Sequence, residues 1–246
     1  MPVYNEEETL ALILDEVLAR PETAEVIIVD DASKDKSVDV IKEYQARFPD
    51  RIKTFFHEVN LGKGAAIRHG FDLAEAPIVI VQDADREYSP EDYPVILKPI
   101  VSGKADVVFG SRFQGGPGRV LYFRHQLGNK FLTFLSNLVT DLNLTDMETC
   151  YKAFRREVIQ NLVLTLNRFG IEVEITAKIA KFRRLKIYEV PISYNGRTYE
   201  EGKKVTWKDG IAALWFMFKF NVLTPWSSCI KKPWNEVLGN DLICWK

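Results

Sequence analysis

The stretch Ile78-Val-Ile-Val-Gln-Asp-Ala-Asp85 contains the decisive pattern. Ile78 to Val81 is an unbroken β-branched run, which reads as a strand covered on both faces. It ends in Gln82-Asp83-Ala84-Asp85, so polar and charged groups gather where the strand stops. Upstream, Val26-Ile-Ile-Val29 running into Asp30-Asp31 follows the same plan. In a parallel sheet such carboxyl ends lie along one edge, and that edge is where open α/β folds bind ligands. Working outward, Leu10, Ile13, Leu14, Val17 and Leu18 have helical spacing, with Asn5 as the expected N-cap and Glu8 completing the start. Ser33 and Asp35 open a helix through about Arg47, Ile52 to Phe56 is a candidate strand, and Ala65 to Ala74 a helix entered from the loop Asn60-Leu-Gly-Lys-Gly64. A helix over Pro90 to Val101 and a strand over Ala105 to Phe109 complete an alternating series, which predicts an α/β fold with a mostly parallel sheet flanked by helices. Past Gly110 the alternation stops. Gly115 to Gly118 predicts a mobile loop, 126–139, 158–166 and 172–182 predict helices, and Ile187 to Val190 predicts a further strand.

Bulk properties narrow the function. With 33 Lys and Arg against 34 Asp and Glu, the net charge of -1 offers no global attraction to nucleic acid or anionic membrane. Apolar residues at 46% and charged ones at 27% exclude disorder, a collagen-like chain and a multi-span membrane protein. Cys150, Cys229 and Cys244 are far apart with no CxxC spacing, so neither a zinc cage nor a disulfide framework is expected and a reducing compartment fits. The N-terminus lacks a basic and apolar leader, and the apolar run Ile211 to Phe218 falls short of the roughly 20 residues that cross a bilayer. The expected location is cytoplasmic, at most peripheral on the cytoplasmic face of a membrane.

Several constellations carry chemistry. Alternate residues of an extended chain point the same way, so Asp83 and Asp85 project together with Ala84 leaving the gap open. Two such carboxylates suit Mg²⁺ or Mn²⁺ shared with a substrate diphosphate, or else they are solvated loop carboxylates. Asn60, Gly62, Lys63 and Gly64 precede a helix, so the segment is either an anion site with Lys63 adding charge or a plain turn. Arg112, Arg119 and Arg124 surround the glycine-rich loop, and Arg197, Lys203 and Lys204 bracket another turn. Both clusters read as phosphate grips or as surface cations. His57, His69 and His125 are isolated, with structural or solvated roles expected.

Taken in order, Pro2-Val-Tyr-Asn-Glu-Glu7, Val29-Asp-Asp-Ala-Ser33, Asn60-Leu-Gly-Lys-Gly64, Asp83-Ala-Asp85 with Tyr88-Ser-Pro-Glu-Asp92, and Gly110-Ser-Arg112 resemble glycosyltransferase family 2. Thr145-Asp-Met-Glu-Thr-Cys-Tyr-Lys152, Glu189-Val-Pro-Ile192 and Gly196-Arg197 are similar to its dolichol-phosphate mannose synthase-like branch. The resemblance implies a GT-A type nucleotide-sugar-binding fold and metal-dependent, inverting transfer of a hexose from a nucleotide-diphosphate sugar, GDP-mannose or UDP-glucose, to a polyprenyl or dolichyl phosphate. It implies that Pro2, Tyr4, Glu6 and Asp31 hold the nucleoside, that Asp83 and Asp85 bind metal and diphosphate with Glu87 as a further ligand, and that Lys63 supports the donor. It further implies that Arg112 and Arg124 grip the acceptor phosphate and that Arg197 with Lys203 forms a basic loop over the donor. Transfer to a saccharide or protein hydroxyl, and a non-catalytic nucleotide-sugar-binding module, are the alternatives. Where the family has a full strand before Pro-Val-Tyr-Asn, only Met1 stands here, so a truncated first strand is expected, lowering stability and nucleotide affinity. The glycosyltransferase domain is expected over 1–210. The aromatic and basic segment 211–246, with Trp215, Phe216, Phe218, Lys219 and Trp226, is expected either to pack on it or to lie at a membrane surface.

Overall fold

The computed structural model describes residues 1–120, 122–198, 200 and 207–238. Seven strands pair in two groups. The first is β1 (Pro2–Val3), β2 (Val26–Asp30) and β3 (Ile52–Phe56), all parallel in the order β1-β2-β3. The second comprises β4 (Ile78–Ile80), β5 (Val107–Ser111), β6 (Lys152–Arg155) and β7 (Ile187–Pro191) in the order β4-β6-β5-β7. Here β7 runs parallel to β5, while β6 is antiparallel to both of its neighbours. The first strand expected to be truncated is present as the two residues of β1, with Val29 N–H donating to the Met1 carbonyl at 3.0 Å and Asp31 N–H to Val3 at 2.8 Å.

Helices α1 (Leu10–Leu18), α2 (Ser37–Arg47), α3 (Lys63–Leu73) and α4 (Tyr93–Val101) alternate with the first five strands. α5 (Phe123–Thr140), α6 (Arg156–Asn161), α7 (Ile171–Ala180), α8 (Trp207–Phe218) and α9 (Trp234–Val237) follow. The alternation fails past Gly110 because the chain leaves the sheet through α5 and returns as β6, inserted between β4 and β5. β6 escapes sequence reading because Lys152 and Arg155 interrupt its apolar pattern. Asn5 is not the N-cap of α1. Its backbone is left-handed at φ 52° and its side chain accepts from Lys34 N–H at 2.8 Å, so the helix begins only after Thr9.

The period-2 geometry of β5 divides the core between its two faces. Val108 packs with Leu14, Ile28, Ile96 and Tyr151, whereas Val107 and Phe109 pack with Phe154, Ile159 and Ile175. Described residues beyond 210 contribute to the second of these clusters. Ala213, Met217, Cys229 and Trp234 are all buried there, and α8 crosses the boundary that composition suggests.

One buried ion pair ties α7 to the loop before it. Glu174 accepts from Lys178 Nζ at 2.6 Å and from the N–H groups of Thr165 and Leu166 at 2.9 and 2.8 Å. Both charged side chains are almost fully buried, so neither has water to replace its partner. Glu174→Ala is expected to destabilise the fold by about 3–5 kcal/mol, because Lys178 keeps a buried charge without its counter-ion. Denaturant unfolding of wild type and variant checks this, and a difference within about 0.5 kcal/mol contradicts it.

Candidate active site

The carboxyl ends of β1, β2 and β4 open onto one cavity of about 750 Å³. Non-glycine residues with left-handed backbone follow these ends, at Asn5 (φ 52°), Ala32 (φ 60°) and Arg86 (φ 59°). Such conformations cost energy in L-residues and collect where turns are shaped for function. The cavity is lined by Pro2, Tyr4, Glu6, Asp31, Lys63, Asp83, Asp85, Glu87, Arg112, Arg124 and Arg197. These are candidate residues singled out by the sequence; Arg119 does not line this cavity, and Lys203 and Lys204 lie outside the described residues.

Asp31 organises the loop beside it. Oδ1 accepts from His57 Nδ1 at 2.7 Å and from Leu61 N–H at 2.8 Å, and Oδ2 accepts from Gly62 N–H at 2.7 Å. The carboxylate therefore organises the glycine loop, with both oxygens engaged by protein donors. His57 Nε2 in turn meets His69 Nδ1 at 2.7 Å, so these two histidines form a chain behind Asp31. The loop's glycines serve packing. Gly62 has φ 103°, and a Cβ there would come within 2.5 Å of the Asn167 carbonyl; a Cβ on Gly64 would come equally close to Leu166 O. Ala65 N–H donates to Asn167 at 3.0 Å, so the amides of Leu61, Gly62 and Ala65 are spent on protein oxygens instead of an anion.

This packing delivers Lys63, the first residue of α3, beneath the end of β4. Its ammonium lies 2.8 Å from Asp83 Oδ1 and 3.0 Å from Cys150 Sγ, with Glu172 at 3.8 Å. Although burial opposes ionisation of Asp83, the Lys63 charge holds its carboxyl below the usual range. Asp85 sits otherwise. Arg197 Nη2 reaches its Oδ2 at 3.0 Å and Glu87 N–H its Oδ1 at 3.2 Å, yet burial and then the negative charges of Asp83 and Glu87 push this carboxyl up to about 7. Glu87 is occupied by other partners: Oε2 accepts from Tyr194 OH at 2.9 Å and Oε1 from Arg197 N–H at 2.8 Å. Among the described residues no three His, Cys, Asp or Glu side chains gather as a metal cage. Arg197 also reaches Glu6 Oε2 at 3.4 Å, linking the opening segment to the Asp-Ala-Asp turn.

The cavity also has a basic and aromatic lining. Arg112 presents Nε and Nη2 to Asp146 at 2.6 and 2.7 Å and lies over the Tyr194 ring at 5.1 Å. One edge of its guanidinium is thus structural. Arg124 is exposed on the first turn of α5 and faces the same cavity. Phe131 and Leu132 of α5 and Ile211 and Leu214 of α8 complete the lining. Sequence reasoning assigned no role to Glu148, Cys150 or Glu172, which also line it. Glu148 and Cys150 stand inside a quoted motif, but only the return of β6 into the sheet places them there.

The model of the family described as "Glycosyl transferase family 2" matches residues 1–163. The chain is 29% identical over 204 residues to a polyprenol monophosphomannose synthase of Mycolicibacterium smegmatis, covering 80% of this chain and 76% of that relative. It is 32% identical over 212 residues to a dolichyl-phosphate beta-glucosyltransferase of Trichomonas vaginalis, covering 79% of this chain and 64% of the relative. A dolichol-phosphate mannosyltransferase of Pyrococcus furiosus is 28% identical, with 82% of this chain and 57% of the relative covered, so the chain spans about three fifths of the length of these last two. Among solved structures, glucosyl-3-phosphoglycerate synthase from Mycobacterium tuberculosis, in complex with Mn²⁺, uridine diphosphate and glucosyl-3-phosphoglycerate, superposes with a TM-score of 0.65 at 18% identity over 89% of this chain and 77% of that one. That likeness establishes the GT-A type fold. The arrangement of strands and the ordered motifs converge with the family match: this chain belongs to glycosyl transferase family 2.

Proposed function

We propose that the chain transfers a hexose from a nucleotide-diphosphate sugar to the phosphate of a polyprenyl lipid. The observation that carries this reading is one cavity lined by Asp83, Asp85, Lys63 and Arg197, by Arg112 and Arg124, and by apolar residues of α5 and α8. A donor diphosphate fits the first group, and an acceptor phosphate with its hydrocarbon chain fits the second. A phosphate monoester is already anionic near neutral pH, with a second pKa of about 6, so its attacking oxygen needs no general base. Arg124, exposed beside the glycine-rich loop, and the remaining donor edge of Arg112 supply the charge that brings two anions together. The relatives' names divide between mannose and glucose, so the hexose is assigned by class alone.

The donor set fits Mg²⁺ or Mn²⁺. Asp83 and Asp85 present hard oxygen ligands at one turn, and a divalent ion would offset the burial and the neighbouring negative charges that raise the Asp85 carboxyl. With two protein carboxylates, the remaining ligands would come from the donor and water, as suits a diphosphate-bound cation. When bound, such an ion neutralises charge on the leaving diphosphate.

The lipid reading extends to the surface. Phe123, Leu127, Phe131, Phe134 and Leu138 are all exposed on α5 and recur at helical spacing along one face. Trp215 and Phe218 of α8, followed by Val222, Leu223 and Trp226, are exposed as well, and α5 packs against α8. No helix among the described residues is long and apolar enough to cross a membrane. This apolar face, with Arg124 and Lys130 exposed along it, suits shallow insertion beneath anionic headgroups, which would bring a polyprenyl phosphate to the cavity mouth.

Turnover of radiolabelled GDP-mannose and UDP-glucose, with and without polyprenyl phosphate, tests the reading: label is expected in the lipid phase only when the polyprenyl phosphate is present, and transfer to a saccharide or protein hydroxyl instead overturns it. Asp85→Asn keeps the side chain's shape and removes its charge, and is expected to lower kcat by at least about 100-fold through loss of several kcal/mol of charge stabilisation. Near-normal turnover of that variant, or activity surviving chelation, contradicts the metal assignment. Leu127→Glu with Phe134→Glu is expected to lower co-sedimentation with anionic lipid vesicles about tenfold or more while leaving Tm nearly unchanged, since both side chains are exposed. Unchanged vesicle binding removes the membrane role of α5.

A further inference from the structure

Between α5 and β6, the segment 146–150 is clamped from every side. Asp146 is held by the fork of Arg112, and its N–H donates to Glu189 Oε1 at 3.0 Å. Met147 N–H donates to Thr133 Oγ1 at 3.1 Å. The buried Lys152 ammonium donates to the carbonyls of Met147 and Thr149, which flank Glu148. Lys152 and Arg112, whose charges act on Glu148, thus make their hydrogen bonds to Met147, Thr149 and Asp146 and not to Glu148 Oε1. Glu148 Oε1 is itself buried and has no hydrogen-bond partner, yet the residue lines the cavity that also holds Asp83, Asp85, Lys63 and Arg124.

A buried acceptor left unpaired is costly and rare in native proteins. Here the surrounding loop spends its donors on fixing the backbone and leaves the carboxyl facing the cavity, which is the arrangement of a group pre-organised for a ligand. An anionic ligand is excluded by charge. Burial, followed by the nearby Glu172 carboxylate, already pushes the Glu148 carboxyl up to about 7, and a phosphate would aggravate that repulsion. A hydroxyl suits it, because a carboxylate accepts from hydroxyls and a protonated carboxyl both accepts and donates. Between a donor diphosphate and an acceptor phosphate, the hydroxyl-rich element is the transferred sugar.

We propose that Glu148 hydrogen-bonds hydroxyls of the transferred hexose and so selects and orients the sugar ring between the diphosphate end and the acceptor end of the cavity. This assignment rests on the transferase reading above. Its test separates the two by comparing nucleoside diphosphates with nucleotide sugars. Titration calorimetry with Mn²⁺ present measures binding of UDP, GDP, UDP-glucose and GDP-mannose to wild type, Glu148→Gln and Glu148→Ala. The variants are expected to bind the nucleoside diphosphate as wild type does, within about twofold, and to bind its sugar conjugate roughly 10- to 100-fold more weakly, with Gln milder than Ala. Kinetically, donor KM rises while acceptor KM stays constant. Tm is expected to hold or rise for Glu148→Ala, which removes an unpaired buried acceptor, so weaker binding of that variant would not reflect unfolding. Equal losses for nucleoside diphosphate and nucleotide sugar overturn the assignment, as does a fall in kcat with donor binding intact, which would make Glu148 a general base. Unchanged binding of the sugar conjugate overturns it alone. A wild type that binds none of the four compounds overturns the transferase reading and this assignment together.

Discussion

The ion pair between Lys63 and Asp83 is the contact on which the rest of the cavity depends. It joins the first residue of a helix to the end of a strand at 2.8 Å, with both side chains largely hidden from water. Burying either charge alone would cost several kcal/mol, so each is tolerable only through the other. The geometry of the pair is set from outside it. Asp31 binds the amides of Leu61 and Gly62, and Gly62 and Gly64 let the chain press against the carbonyls of residues 166 and 167. The start of α3 is thereby fixed relative to β2, β4 and the loop before α7. A side chain at either glycine would separate these elements and withdraw Lys63 from Asp83.

Around that pair the cavity divides its charge. Asp83 is compensated by a lysine, whereas Asp85 is compensated only in part by Arg197, and burial with the charges of Asp83 and Glu87 raises its carboxyl. Arg197 serves several partners at once, touching Glu6, Asp85 and Glu87, and so couples three separate segments of the chain. Asp146 and the Tyr194 ring orient Arg112, and apolar side chains from α5 and α8 complete the lining. A site with a polar end and an apolar flank suits two reactants of different character, one a nucleotide sugar and the other a lipid phosphate, in line with the function proposed above.

Much of this was legible in the chain. The runs at Val26 to Val29 and Ile78 to Val81 announce themselves because strands buried on both faces need continuous apolar residues. Asp83, Asp85, Lys63, Arg112, Arg124 and Arg197 stand in short ordered motifs, and the cavity brings them together. β6 was not legible, since its charged residues break the pattern: Lys152 is buried but satisfied by carbonyls of its own preceding loop. Glu148 was equally silent. In sequence it is one acidic residue among several, and only the commitment of Lys152 and Arg112 to other acceptors reveals it as unpartnered.

By itself, then, the sequence determined the elements and the chemical inventory: where parallel strands end in carboxylates, which loops need glycine, and which cations follow. These depend on local periodicity and backbone sterics, which act over a few residues. Tertiary structure alone decided how that inventory is spent. It committed Asp31 to the glycine loop, Glu87 to Tyr194 and Arg197, and one edge of Arg112 to Asp146, and it left Glu148 facing the cavity. The physical reason is that a charged group's role is set by its partners and its burial, and these come from segments tens of residues apart that meet only when the sheet is assembled.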